Sequence, residues 1–199
     1  MGVRRKLLNA MWELRLGIST RGLHFSELSD NEHIHYGTQS YTETVAVLKA
    51  LRLDLNDVFV DLGCGKGRVI CLAARHLLRE VIGVEHSAYL CEIARRNSLR
   101  VRGRRSPIKI QEIGAESFDY TIGTVFYMFH SFGPKTLASV LERMYQGLRS
   151  NPRRLRLVYS NPRNEHIVSQ VGWLERCQLW TKETHDAVQE SVSFWRSKM

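Results

Sequence analysis

No uninterrupted apolar run approaches the ~20 residues a helix needs to span a bilayer, so neither a membrane-spanning protein nor a membrane partner is expected. The N-terminus carries Arg4, Arg5 and Lys6, but no apolar h-region follows, which argues against a secretory leader. Position 6 is Lys6, where a myristoylation signal needs Ser or Thr. Cysteine is sparse: Cys64, Cys71, Cys91 and Cys177 form no C-x-x-C pair. That removes the commonest zinc spacing and predicts reduced thiols in a cytoplasmic compartment. His24, His33 and His35 lack paired helical spacing, so no metal is expected. Acidic residues are in deficit, 20 against 29 Lys and Arg, for a net charge of +9 and a pI near 9.7. This balance suits an acidic partner or substrate. The densest basic stretch, six arginines from Arg95 to Arg105, has no interleaved aromatics for base stacking, so nucleic acid is disfavoured. With 199 residues, 43% of them hydrophobic, the chain can fill one good core and has no room for a second full domain.

What is present centres on Val58 to Arg68, Val-Phe-Val-Asp-Leu-Gly-Cys-Gly-Lys-Gly-Arg. Val58 to Leu62 has the composition of a strand buried on both faces of a parallel sheet. Gly63, Gly65 and Gly67 then let the backbone turn tightly and approach a ligand where a Cβ would collide. Val69, Ile70, Leu72 and Ala73 follow at helical spacing. Strand, glycine loop and helix together predict a nucleotide-cofactor site. The dinucleotide fingerprint Gly-x-Gly-x-x-Gly is not met, because Arg68 stands where its third glycine would. Asp61, two residues before the first glycine, disfavours a pyrophosphate and suits an ammonium or sulfonium. A second strand, Glu80 to Val84, ends in Glu85, close to where such folds place the acid that accepts ribose hydroxyls. The ligand this pattern favours is S-adenosylmethionine.

Asp-Leu-Gly-Cys-Gly-Lys-Gly-Arg followed by Val-Ile-Gly-Val-Glu resembles motif I and the next acidic motif of class I S-adenosylmethionine-dependent methyltransferases. Tyr36-Gly37-Thr38-Gln39 and Phe132-Gly133-Pro134 are similar to two loops of the non-SET histone-lysine methyltransferases, and the layout also looks like that of small stand-alone bacterial methyltransferases. The likeness covers roughly residues 34 to 162. It implies a Rossmann-like α/β fold with a mostly parallel seven-stranded sheet, helices on both faces and an antiparallel C-terminal edge strand. It also implies that Tyr36 to Gln39 fold over the methionine end of the cofactor. Asp61, Gly63, Gly65 and Gly67 would hold its tail, with Arg68 helping at the carboxylate, while Glu85 would take the ribose. Related enzymes place an acid near Glu116 against the adenine. This chain has Ala115 at the usual position, which leaves Glu116 as the substitute, and Phe118 either stacks on the ring or fills core. Tyr127, on the fourth strand, is a further candidate contact.

Around these motifs, Leu7, Leu8, Met11, Trp12 and Leu14 predict a short amphipathic helix. It reads as packing on the core or covering the site, in preference to a membrane-surface or organelle-targeting helix. Residues 1–40 are expected to form this helix and a lid segment, and 41–199 the methyltransferase domain. Further helices are expected over Tyr41 to Leu53, after Ser87, and over Pro134 to Leu148. Further strands are expected at Ile108 to Glu112, Thr124 to Phe129, Leu155 to Tyr159, Trp173 to Trp180 and Val188 to Trp195. The fourth strand delivers His130 to the carboxyl edge, where its imidazole either takes a proton from the acceptor or orients the loop. Tyr36 is the second catalytic candidate, and Asn161-Pro162 either lines the acceptor pocket or makes an ordinary turn.

The Asn/Asp-Pro-Pro-Tyr loop of base amino-methyltransferases and the Pro-Cys of cytosine C5 enzymes are both missing. The expected acceptor is a nitrogen or oxygen of a small molecule. A protein lysine is the alternative, and a non-catalytic cofactor-binding partner subunit is the second. Oligomeric state is not legible.

Overall fold

A computed structural model describes residues 3–22 and 39–198. The chain runs α1 (Val3–Leu16), α2 (Tyr41–Ala50), β1 (Val58–Leu62), α3 (Arg68–Ala73), β2 (Glu80–Glu85), α4 (Ala88–Arg100) and β3 (Ile108–Glu112). It continues through β4 (Val125–Phe129), α5 (Pro134–Ser150), β5 (Arg156–Ser160), α6 (Glu165–Gln170), β6 (Leu174–Trp180) and β7 (Val192–Ser197). The seven strands form one sheet in the order β3-β2-β1-β4-β5-β7-β6. β1 to β5 run parallel to one another, and β7 runs antiparallel to both β5 and β6. The antiparallel C-terminal strand is therefore present, one place in from the edge that β6 occupies. The order reverses beside β1, which makes the carboxyl ends of β1 and β4 the switch point where open α/β sheets bind ligands.

Central burial explains the solid apolar runs: every residue of β1 is buried. Phe59, Tyr127 and Val158 point to the face covered by α1 to α4. Val60, Phe126 and Leu157 point to the other, where α5 packs through Leu137, Val140, Leu141 and Met144. Each such buried side chain contributes roughly 1.5–3 kcal/mol. Ser40 starts α2 with a reciprocal capping box to Glu43. A single 3₁₀ turn at Ala115–Ser117 and the short α6 have no expected counterpart from the sequence pattern.

Gly147 shows how tightly the second face is packed. A Cβ there would meet the Tyr120 carbonyl carbon at 2.6 Å and its oxygen at 2.7 Å, both rigid backbone atoms. Gly147→Ala is expected to destabilise the protein by about 1–3 kcal/mol through overpacking, even though alanine gains about 1 kcal/mol of helix propensity. Urea denaturation measures this, and a raised midpoint would show the contact to be soft.

α1 packs in the reverse of the expected sense. Asn9, Glu13 and Leu16 are buried, and Trp12 stacks on Tyr41 at 6.0 Å between ring centroids. Leu7, Leu8, Met11 and Leu14 are exposed. The physical reason is Glu13, whose carboxylate accepts from the Thr20 N–H (2.8 Å), the Thr20 hydroxyl (3.0 Å) and Arg21 Nε (2.6 Å). These partners come from the segment after the helix, and they turn its polar face inward.

Candidate active site at the carboxyl edge

The register puts Asp61 opposite both Gly83 on β2 and Tyr127 on β4. Gly63 and Gly65 adopt left-handed φ values of 80° and 53°, which strains any residue with a Cβ. A Cβ on Gly63 would also meet Ser131 Oγ at 2.8 Å. The loop is strapped to the end of β2: the Gly63 and Cys64 N–H groups donate to the Val84 carbonyl at 2.9 and 3.0 Å. The Gly65 N–H donates to Glu85 Oε2 at 3.0 Å. Gly83, which sequence reasoning passed over, makes this approach possible, because a Cβ there would meet Cys64 Sγ at 2.7 Å. A lone glycine inside an apolar strand was the available signal.

The two acids sit in contrasting environments. Asp61 is 3% exposed and makes no hydrogen bond or ion pair among the described residues. Burial, with the charge of Glu85 added, pushes its carboxyl well above the ordinary carboxylate range. Burial alone would also raise Glu85, but hydrogen bonds from His86 and from the Ser87 and Gly65 N–H groups outweigh it and hold this carboxyl below its usual value. His86, unremarked in the sequence, lies 3.2 Å from Glu85 through Nδ1 and is pushed upward chiefly by that hydrogen bond. Glu116 is exposed on the 3₁₀ turn, and its charge acts on His86. A buried, unpartnered Asp61 beside an ionised Glu85 is a place that lacks a positive charge, so these residues fit a sulfonium or ammonium ligand.

The remaining candidates separate. Arg68 is given other partners than the cofactor carboxylate expected of it. It is 3% exposed, with Nε donating to Thr20 Oγ1 (2.9 Å) and Nη1 to the Gln39 carbonyl (2.6 Å). Its guanidinium carbon lies 4.2 Å from the Tyr41 ring centroid. The Tyr127 hydroxyl donates to Gln39 Oε1, and Gln39 Nε2 donates to Ser160 Oγ at 2.8 Å. These polar groups tie the start of α2 to the ends of β4 and β5. Phe118 is fully buried, edge-on to Tyr120 at 5.1 Å, and so fills core. Tyr36, Gly37 and Thr38 lie outside the described residues, as do His24, His33 and His35.

The β4 loop abuts the glycine loop, with Ser131 Oγ donating to the Leu62 carbonyl at 2.9 Å. His130 holds a left-handed φ of 40° and its N–H donates to the Ser160 carbonyl. Its Nδ1 is buried without a hydrogen-bond partner. Burial first, then the charge of Arg163, holds its pKa below the ordinary value, so the ring is neutral at pH 7. Beside this loop is a cavity of about 120 Å³, lined by Gln39, Glu43, Phe129, Asn161 and Glu190 among others. Two larger hollows, about 690 and 620 Å³, lie at the opposite, amino-terminal edge of the strands. Their size is no guide, because ligands of this architecture bind at the carboxyl edge. Arg156 pairs there with Asp57, and Arg153 donates to the Tyr120, Gly123, Gly147 and Asn151 carbonyls.

Residues 59–151 match a family model described as a methyltransferase domain. Over that segment the chain carries a methyltransferase domain. A methyltransferase domain implies S-adenosylmethionine as its cofactor. Among solved structures, it is similar to an RNA methyltransferase from Salinibacter ruber in complex with S-adenosyl-L-homocysteine. That match is 22% identical, with a TM-score of 0.54, covering 77% of this chain and 89% of that one. It is also similar to a magnesium protoporphyrin IX methyltransferase from Synechocystis PCC 6803 with bound cofactor (14%, TM-score 0.59, 79% and 78%). A third is the ribosomal protein L11 methylase from Lactobacillus delbrueckii subsp. bulgaricus (13%, TM-score 0.59, 82% and 80%). At these identities the likeness speaks to the methyltransferase fold. No curated protein matches the sequence significantly. None of the methyltransferase's described helices is long and apolar enough to cross a membrane, and its described residues hold no cluster of metal-ligating side chains. The likeness to the histone-lysine branch rests on Tyr36 to Gln39 and Phe132 to Pro134 alone.

Proposed function

We propose that this methyltransferase modifies the nitrogen of a slim amine presented at the carboxyl ends of β4 and β5. The single observation behind this reading is the composition of the cavity there: Glu43 and Glu190, with the amides of Gln39 and Asn161, against the Phe129 ring. Among the described residues no cationic side chain lines it, in a chain whose net charge is +9. Such a lining favours an ammonium over an anion. A small-molecule amine is the first reading. A protein lysine is the second, favoured by the cavity's narrowness, which admits the end of an alkyl chain more readily than a ring.

The bound cofactor supplies an electrophilic methyl group on a positively charged sulfur. The chain's residues bind, align and manage a proton. Asp61 would face the positive charge, and Glu85, fixed by Gly65, Ser87 and His86, would receive the ribose hydroxyls. Holding the reactants in line can contribute several kcal/mol of the rate gain. An ammonium must lose a proton before attack, and the neutral His130, with Nδ1 unpartnered, takes it at that atom.

Incubation of tritiated cofactor with cell lysate tests the acceptor class. Label is expected in small amines or in lysine; label in nucleic acid would overturn the reading. His130→Gln is expected to lower kcat roughly 100-fold with cofactor affinity unchanged. The wild-type rate should hold at pH 7 and fall only as acid protonates His130, below the usual histidine range, and the variant should lose that limb. Unchanged turnover would return His130 to a purely structural role.

A further inference from the structure

We infer that the outer face of α1 is a docking surface for an anionic phospholipid bilayer. Leu7, Met11 and Leu14 are 61%, 60% and 78% exposed. At ~100° per residue they fall within an arc of roughly 60° on one side of the helix. Leu8, 41% exposed, extends the same side. These are large apolar groups left in water by a helix that buries Asn9 and Glu13 instead. Four such side chains on one helix face form a contiguous feature rather than scattered exposure.

Charge selects the occupant. The only acid in α1 is Glu13, which is 4% exposed and bound to Thr20 and Arg21. Every exposed charged side chain described on the helix is therefore positive, with Lys6 on one flank of the stripe and Arg15 on the other. The carboxyl end of α4 adds to this. The Arg102 N–H donates to the Leu16 carbonyl at 2.8 Å and its Nη1 to the Leu14 carbonyl at 3.2 Å. That packing seats exposed Arg100 and Arg102 beside the last turn of α1, and Leu99 on the same helix end is 80% exposed. An apolar stripe with basic flanks is the pattern of a helix that lies in the headgroup region. Basic side chains near an anionic leaflet add electrostatic attraction to the apolar contact. A second copy laid on this face would instead set Lys6 and Arg15 against the same charges on its partner. Lying on a bilayer makes no demand on helix length, so the lack of a spanning helix among the described residues is no obstacle.

The test is sedimentation of the full chain with vesicles of phosphatidylcholine alone and with roughly 30% phosphatidylglycerol added. Pelleting is expected with the anionic vesicles only, and should fall as salt rises. Leu7→Glu/Met11→Glu/Leu14→Glu is expected to lower partitioning roughly tenfold or more with cofactor affinity by calorimetry unchanged. If that variant misfolds, Leu14→Glu alone serves, since that side chain is the most exposed of the three. No pelleting of the wild type, or equal pelleting of the variants, would overturn the inference. A wild-type dimer in light scattering that the substitutions dissolve would overturn it too, by assigning the face to a second copy.

Discussion

Asp61→Asn is expected to weaken S-adenosylmethionine binding severely while making the unliganded protein more stable. The opposite signs follow from one observation: a carboxylate 3% exposed, facing the charge of Glu85 and without a partner among the described residues. Removing a buried charge that meets a cation typically costs 2–5 kcal/mol of affinity, or about 30-fold to several-thousand-fold. In the absence of that cation the same charge is a liability, and the isosteric amide relieves it, by an amount on the order of 1 kcal/mol. The pH dependence has a defined direction. The folded-state pKa of Asp61 lies above its unfolded value near 3.9, so the folded protein binds the proton more tightly. Stability therefore falls as pH rises from about 4 toward the folded pKa, and Asp61→Asn should flatten that part of the curve. Calorimetry and thermal denaturation without cofactor read the two effects. Retained affinity, or a less stable apo-protein, would sink the assignment of Asp61.

Arg68→Met is expected to be the most destabilising substitution near the site, though it need not touch the cofactor. The buried guanidinium holds Thr20 and the Gln39 carbonyl, lies over the Tyr41 ring, and stands 3.9 Å from Glu13. Methionine keeps the bulk but leaves Glu13, 4% exposed, to Arg21, Thr20 and Tyr41. Breaking one side of a buried ionic network costs about 3–5 kcal/mol, which in a chain of this size lowers Tm by roughly 10 °C. Adding Glu13→Gln should recover part of the loss, because the buried carboxylate that has lost its buried cation goes with it. A loss below about 1 kcal/mol, or a double variant no better than the single, would show that the network carries little.

Arg68 also marks how far sequence pattern reaches. Its place after Gly67 is part of the motif, and adjacency in the motif suggested the cofactor as its partner. The partners it has, Thr20 and the Gln39 carbonyl, lie 48 and 29 residues away. No local pattern encodes such distant pairings. The same holds for Gln39 and Tyr127, whose hydrogen bond spans 88 residues. The place of Glu85 at the end of β2 was legible because its strand and its distance from the glycine loop are local quantities. His86 was not, since an exposed histidine beside a strand end gives no periodic signal.

Hydrophobic periodicity, glycine spacing and the positions of two acids determined, from the sequence alone, the strand–loop–helix unit, the α/β class and the kind of ligand. They suffice because they report local backbone geometry and which residues avoid water. Tertiary structure alone decided that β7 inserts between β5 and β6, that Arg68 binds the N-terminal segment, and that α1 turns its polar side inward. Each of these depends on partners far apart along the chain, whose meeting is set by the packing of the whole domain.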